Sequence, residues 1–242
     1  MRELSNVVLA LAKIRVRNAA AIFGAVESNA AWIFDKGNAQ DFANLAWACA
    51  TLNVQSPSLF RGIEEHSEWL VENGTPLAVA NVAWSCAKLN VQSPSLFRSI
   101  DDNSSWLVTS GKSQEIANVA WACGTLNVQS PSLFGSIEEN AARLVEHGSP
   151  QHIANTAWAC AKLNVQSPNL FKCIEKDAAW LVEKGEEQDV AMVTWAVSKL
   201  GKDSPFLFKQ IEKNAKRFLE NSGEREKDNK KKKVKVGKVK TK

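Results

Sequence analysis

The sequence predicts an all-α protein: an α-solenoid of about six helix-pair repeats, a superhelix of the armadillo/HEAT/PPR kind. Three observations predict it. Landmark residues return at a fixed step of 37: Trp47, Trp84, Trp121, Trp158 and Trp195, then Pro57, Pro94, Pro131, Pro168 and Pro205, then Gly37, Gly74, Gly111, Gly148 and Gly185. A fixed period of roughly 20–50 residues is the signature of a repeat array. The segment LNVQSPSLF recurs unchanged from Leu52, Leu89 and Leu126, returning as LNVQSPNLF from Leu163 and LGKDSPFLF from Leu200. The stretches on either side of it carry helical apolar spacing without an internal breaker.

The units run 1–37, 38–74, 75–111, 112–148, 149–185 and 186–222, ahead of a Lys-rich tail at 223–242. Residues 38–74 show the physical logic. The first half, about 39–53, is rich in Ala and Leu and reads as a helix. Ser56-Pro57 then reads as a helix start, a hydroxyl N-cap followed by proline at the first helical position, where its missing N–H costs nothing. The second half, about 57–72, places Leu59, Phe60, Ile63, Leu70 and Val71 on one stripe and ends at Gly74, a C-terminal cap. Thr75-Pro76 and Ser149-Pro150 begin later first helices in the same manner. The first unit is slightly irregular, because Asn6 to Asn44 is a step of 38. In the last unit Met192 stands in the asparagine register, as suits a terminal repeat.

The two halves differ in predicted exposure. On a helical wheel, Phe42, Ala43, Leu45, Ala46, Trp47, Cys49, Ala50 and Leu52 spread over more than half the circle, so the first helix is sandwiched between neighbours. Only a strip comprising Asp41, Asn44, Ala48 and Thr51 escapes. The second helix is amphipathic, with acids such as Glu64, Glu65 and Glu72 on its solvated side. The first helices therefore form the inner layer of a right-handed solenoid, and their strips line one groove.

Along that groove stand Asn6, Asn44, Asn81, Asn118 and Asn155, and a second row of Lys13, Thr51, Lys88, Thr125, Lys162 and Lys199. An amide carries a donor and an acceptor suited to a base edge, and an ammonium suits phosphate. A row of this kind on successive helices is how one-base-per-repeat RNA binders work. The same asparagines could instead bond the backbone of the next repeat. For Trp47 and its copies, packing between first helices is the default. Trp32, Trp69, Trp106 and Trp180, interrupted by Arg143 and Arg217, form a second row at the flank of the second helix, an amphipathic edge laid over the neighbouring repeat.

Composition narrows the function classes. The chain is 45% hydrophobic and 23% charged with a net charge of +4. No apolar run reaches the roughly 18 residues of a membrane span, and no membrane partner is expected. Residues 223–242 hold ten Lys or Arg against three acids, so the tail carries +7 and the remainder −3. The tail lysines Lys230, Lys231, Lys232, Lys233 and Lys235 read as a solubility tail or as a nucleic-acid arm or import signal. Cys49, Cys86, Cys123 and Cys160 keep the period. Equivalent positions on stacked helices lie roughly 10 Å apart, too far for a disulfide, which needs about 7 Å. They read as small buried apolar residues in an intracellular protein. There is no zinc spacing, no nucleophile with a base and no phosphate loop, and the three histidines, His66, His147 and His152, lack ligand spacing. No catalytic residue, metal or cofactor is expected.

The segments ANLAWACATL, ANVAWSCAKL, ANVAWACGTL and ANTAWACAKL resemble the first-helix signature of octotricopeptide-type repeats of organellar RNA-binding proteins. They are also similar to the repeats of FAST-kinase-like mitochondrial RNA regulators and of kinetoplastid RNA-editing substrate-binding scaffold proteins. The Asn-x-x-Trp-Ala core is matched at Asn44/Trp47, Asn81/Trp84, Asn118/Trp121 and Asn155/Trp158, and the resemblance spans residues 3–222. It implies an α-solenoid that binds single-stranded RNA in a mitochondrion or plastid and guides its processing, stability or translation, with other proteins of an RNA-processing complex as partners. By analogy with one-base repeats, the groove would hold about six nucleotides. The other reading of the same array is a protein–protein scaffold without nucleic acid.

Overall fold

A computed structural model describes residues 1–16 and 20–215. The first unit comprises α1 (Arg2–Lys13), α2 (Ala20–Ser28) and α3 (Ala30–Lys36), and the second α4 (Ala39–Leu52), α5 (Pro57–Glu65) and α6 (Ser67–Asn73). The third holds α7 (Pro76–Leu89), α8 (Pro94–Asp102) and α9 (Ser104–Ser110), and the fourth α10 (Ser113–Leu126), α11 (Pro131–Glu139) and α12 (Ala141–His147). The fifth holds α13 (Pro150–Lys162), α14 (Pro168–Lys176) and α15 (Ala178–Lys184), followed by α16 (Glu187–Lys199) and α17 (Pro205–Lys213). The described residues contain no strand. The helices α1, α4, α7, α10, α13 and α16 pack side by side in one inner layer, while each outer helix leans on the outer helix of the following unit. This is the helical repeat solenoid the period predicts.

In each of the first five units the single second helix expected is two helices. The break falls at Asn29, His66, Asn103, Asn140 and Asp177, again 37 apart. At His66 the backbone reaches φ −108°, ψ 19°, yet hydrogen bonds continue through it from His66 N–H to the Gly62 carbonyl and from Leu70 N–H to the His66 carbonyl. The break is therefore a bend. Its side chains explain it: the amides of Asn103 and Asn140 donate to the carbonyls of Ser99 and Ser136, four residues back, both at 2.9 Å. His66 Nδ1 lies 2.8 Å from the Gly62 carbonyl oxygen. Side-chain bonding to the i−4 carbonyl competes with the helical ladder and bends it. Asp177 lacks the donor and bends all the same, which its side chain does not explain.

The ends of the inner helices account for the repeated Leu-Asn-Val. Asn53, Asn90, Asn127 and Asn164 are left-handed, at φ between 55° and 59°, as are Arg15 at 53° and Gly201 at 61°. The Val54 N–H donates to the Cys49 carbonyl and the Asn53 N–H to the Ala50 carbonyl, the Schellman pattern that satisfies terminal carbonyls. Asparagine tolerates that backbone better than most residues. Gly74 has a different role from the left-handed cap the sequence suggests. Its backbone is extended, at φ −87° and ψ 165°, and a Cβ there would stand 2.5 Å from the Leu70 carbonyl oxygen.

The starts of the outer helices correct a second expectation. Proline does occupy the first helical position, but the side chains of Ser56, Ser93, Ser130 and Ser204 do not cap their own helices. The cap comes from the preceding unit. Glu64 accepts from Ser93 Oγ at 2.5 Å, from Ser95 N–H at 2.8 Å and from Leu96 N–H at 3.4 Å. Glu27 does the same for Ser56 and Ser58, Asp101 for Leu133, Glu138 for Asn169 and Leu170, and Glu175 for Phe206 and Leu207. Glu64 is thus a clamp between repeats and not a solvated acid. For Glu27 and Glu64, burial acts to raise the carboxyl pKa, but the serine and backbone hydrogen bonds outweigh it and hold it below the ordinary 4.5.

The inner helices start as predicted at Thr75, which accepts from Ala78 N–H, and at Ser149, which accepts from His152 N–H. Between the two layers lie fully buried side chains such as Leu45, Ile63, Leu70, Leu96 and Ile100. Each is worth about 1.5–3 kcal/mol removed from water. The alanines of the inner helices, Ala43, Ala46 and Ala83 among them, are inaccessible and allow close approach of adjacent helices.

Candidate nucleic-acid interface

The open strip of the inner layer is displaced from the one the helical wheel suggests. Asp41 and Ala48 are buried. Asp41 accepts from Ser5 Oγ of the first unit at 2.5 Å and bonds the Asn38 N–H at the start of its own helix. Solvent is reached instead at spacing i, i+4, i+7, i+11: Leu77, Asn81, Trp84 and Lys88 on α7, and Gln151, Asn155, Trp158 and Lys162 on α13. These positions lie within about 60° of one another around a helix. Trp47 and its copies, assigned from sequence to the buried arc, therefore belong to the strip. Their placement is double-sided: Trp84, Trp121 and Trp158 are half-buried, and the Trp158 ring lies across Gly124 of the preceding inner helix. One indole face packs between repeats while the rest remains open. Trp195 is 42% exposed.

The predicted residues separate into three groups. Asn6 is exposed, while Asn81, Asn118 and Asn155 are half-buried. Asn44 is 8% exposed, and its Oδ1 accepts from Gln40 Nε2 at 2.9 Å. Among the described residues the side-chain amides of Asn81, Asn118 and Asn155 have no hydrogen-bond partner, so these three form no amide ladder between repeats there. Lys13, Lys88, Lys162 and Lys199 are exposed. None of these four pairs with a carboxylate of the described residues. Thr125 is exposed, whereas Thr51 is half-buried with its Oγ1 enclosed and without a partner. The tail lysines Lys230, Lys231, Lys232, Lys233 and Lys235 lie outside the described residues.

Charge is divided between the layers. The described outer helices carry fourteen Asp or Glu against nine Lys or Arg. On the inner helices Asp41, Glu115 and Asp189 are buried at the helix starts, where the carboxylates of Asp41, Glu115 and Asp189 accept from the N–H groups of Asn38, Lys112 and Glu186. The exposed inner cations are thus left without intervening acids along the strip. The four lysines thus make the strip locally cationic in a body of net charge −3, although the inner helices also carry Glu3 and Glu187 near their starts.

The second tryptophan row is on the outer layer. Trp32, Trp69, Trp106 and Trp180 are 36–47% exposed. Trp69 packs on Phe42, with ring centroids 5.8 Å apart. Arg143, which replaces tryptophan in the fourth unit, donates to the Gly111 and Val108 carbonyls of the preceding unit. This matches the expected overlap of neighbouring repeats.

The cysteines offer no reactive centre. Cys49, Cys86, Cys123 and Cys160 are fully buried, and burial pushes their thiols up to about 12. Among the described residues no group of three or more His, Cys, Asp or Glu could hold a metal ion, and no helix is long and apolar enough to cross a membrane.

No curated protein matches the chain. A family model does: the one described as RNA-editing substrate-binding complex 6 protein matches residues 1–205. That span takes in the inner layer and every residue of the amide–indole–cation strip, and the chain belongs to the RNA-editing substrate-binding complex 6 protein family.

Proposed function

We propose that this protein is a non-enzymatic subunit of an RNA-editing complex that holds single-stranded RNA along its inner layer. One observation carries the reading. In the third, fourth and fifth units an amide without a partner among the described residues and a half-open indole recur at the same two positions, and the first, third, fifth and sixth units set an exposed lysine at a third. Amides suit base edges, indoles suit stacking and lysines suit phosphates. Family membership supports RNA as the ligand class and a mitochondrion as the setting. The basic tail would add affinity without sequence preference.

The test is binding of a single-stranded oligoribonucleotide across salt concentrations. Single strands lose affinity with a log–log slope of about −0.7 per neutralised phosphate. Replacing Lys88, Lys162 and Lys199 together by Gln should therefore flatten the slope by about two. Truncation of 223–242 should weaken all sequences alike. An unchanged slope in the triple variant removes the strip from the interface.

A second binding face has its own support. The exposed tryptophans of the outer layer, set among a surplus of acids, suit a protein partner of the same complex, since aromatic residues anchor protein interfaces. Under this reading RNA lies inside and protein outside.

A further inference from the structure

The strip is not uniform. A cleft of about 1060 Å³ opens on the first three units, lined by Arg15, Gly24, Glu27, Trp47, Thr51, Trp84 and Lys88 among others. It is large enough for a small-molecule ligand, for which sites span roughly 300–1,000 Å³.

Three features of the first unit shape it together. Gly24 stands where four other units carry Arg61, Arg98, Lys172 and Lys209, a glycine shared by the fourth unit at Gly135, and a Cβ on Gly24 would meet nothing within 4 Å. Leu9 stands in the tryptophan register, so no indole from the first unit enters the space beside Trp47. Arg15 occupies the left-handed position, φ 53°, that later units give to Asn53, Asn90, Asn127, Asn164 and Gly201. A long side chain seldom adopts that backbone, and here it brings a cation to the cleft.

We propose that this cleft seats one nucleotide of the single-stranded RNA, its base stacked on Trp47 or Trp84 and its phosphate held by Arg15 and Lys88. Indoles give sequence-tolerant stacking and the cations supply the backbone contacts. The Glu27 carboxylate keeps its charge but is turned to Ser56 Oγ, which donates to it at 2.6 Å, and to Ser58 N–H at 2.9 Å, and Arg15 and Lys88 outnumber it in the cleft. The cleft is thereby the anchoring subsite of the strip, and this assignment rests on the RNA reading above.

Two substitutions probe it without breaking the fold. Gly24→Leu fills the cleft from an open helical position, and Arg15→Asn installs the residue that four later units use at the same backbone angle. With the full-length protein and a uridine-rich oligoribonucleotide, each should lower affinity about tenfold. Crosslinking with 4-thiouridine should map to the peptides holding Trp47 and Trp84. If the wild type binds and the Lys88/Lys162/Lys199 variant weakens it while both cleft variants bind as wild type, the cleft assignment fails and the RNA reading stands. If the wild type binds no single-stranded RNA at low salt, both fail. Uridine monophosphate binding as tightly as the oligonucleotide would replace RNA by a free nucleotide and overturn the proposal.

Discussion

The clamp carboxylates predict how the array comes apart. Glu64→Ala removes three acceptor bonds from the start of α8. Loss of a helix N-cap costs about 1 kcal/mol. It also strands the Ser93 hydroxyl, 2% exposed, and a buried unsatisfied donor costs about 1–3 kcal/mol. Together the change should destabilise the junction of the second and third units by about 2–4 kcal/mol. Repeat arrays have stabilities that sum over units and nearest-neighbour interfaces, so the loss should fall on that junction and split or broaden the transition. Urea denaturation followed by circular dichroism measures the total, and hydrogen exchange across α5, α6 and α8 locates it. Glu212 is the built-in control. It holds the same register on α17 but, among the described residues, has no following Ser-Pro helix to clamp. Glu212→Ala should stay within about 0.5 kcal/mol of the wild type. Equal losses from the two variants would refute the clamp. Acid provides a second check. The Glu64 carboxyl lies below 4.5 in the folded chain, so its contribution is complete above that value and is lost as pH falls through the folded pKa. Wild type and Glu64→Ala should converge in stability at low pH.

Three further outcomes follow from individual sites. Asn90→Gly should be nearly neutral, since Gly201 serves at the same angle, whereas Asn90→Val should cost about 1–3 kcal/mol from left-handed strain; thermal melts separate them. His152 Nδ1 accepts the Ser149 N–H at 3.2 Å, and burial holds its pKa below 6.5 although Asp189 pulls the other way. The folded state thus resists a proton that the unfolded chain takes up, so stability should fall as pH drops through 6.5, and His152→Gln should level that slope in a stability–pH series. Finally, Cys173 is partly exposed and should react first with a thiol reagent at neutral pH. The four periodic cysteines, pushed to about 12, should react only on unfolding.

The asymmetry between fold and site has a physical cause. The repeat step, the elbow at Ser-Pro and the starts of the inner helices at Thr75 and Ser149 are local chemistry, written within a few residues. The bend at Asn29, Asn103 and Asn140 was missed although it had a signal, an asparagine recurring in mid-helix, because one continuous apolar stripe runs through it and reads as a single helix. The left-handed turn had a signal too, because Gly201 replaces asparagine in the last copy. The clamp was less legible: Glu64 and Ser93 are 29 residues apart, and an acid on an amphipathic helix looks solvated until its neighbour is in place.

The sequence by itself determined a repeating helical array, its elbows, its buried thiols and the candidate amides and lysines of its inner face, because a 37-residue period imposes one geometry at every step. Of the families it resembles, the RNA-editing substrate-binding one is matched. Only the tertiary structure decided which edge of each inner helix remains open. A wheel gives angles around an isolated helix, whereas exposure depends on two neighbours at once. Their packing buries Asp41 and Ala48, brings Trp47 and Trp84 to the surface and leaves the first three units parted around Gly24.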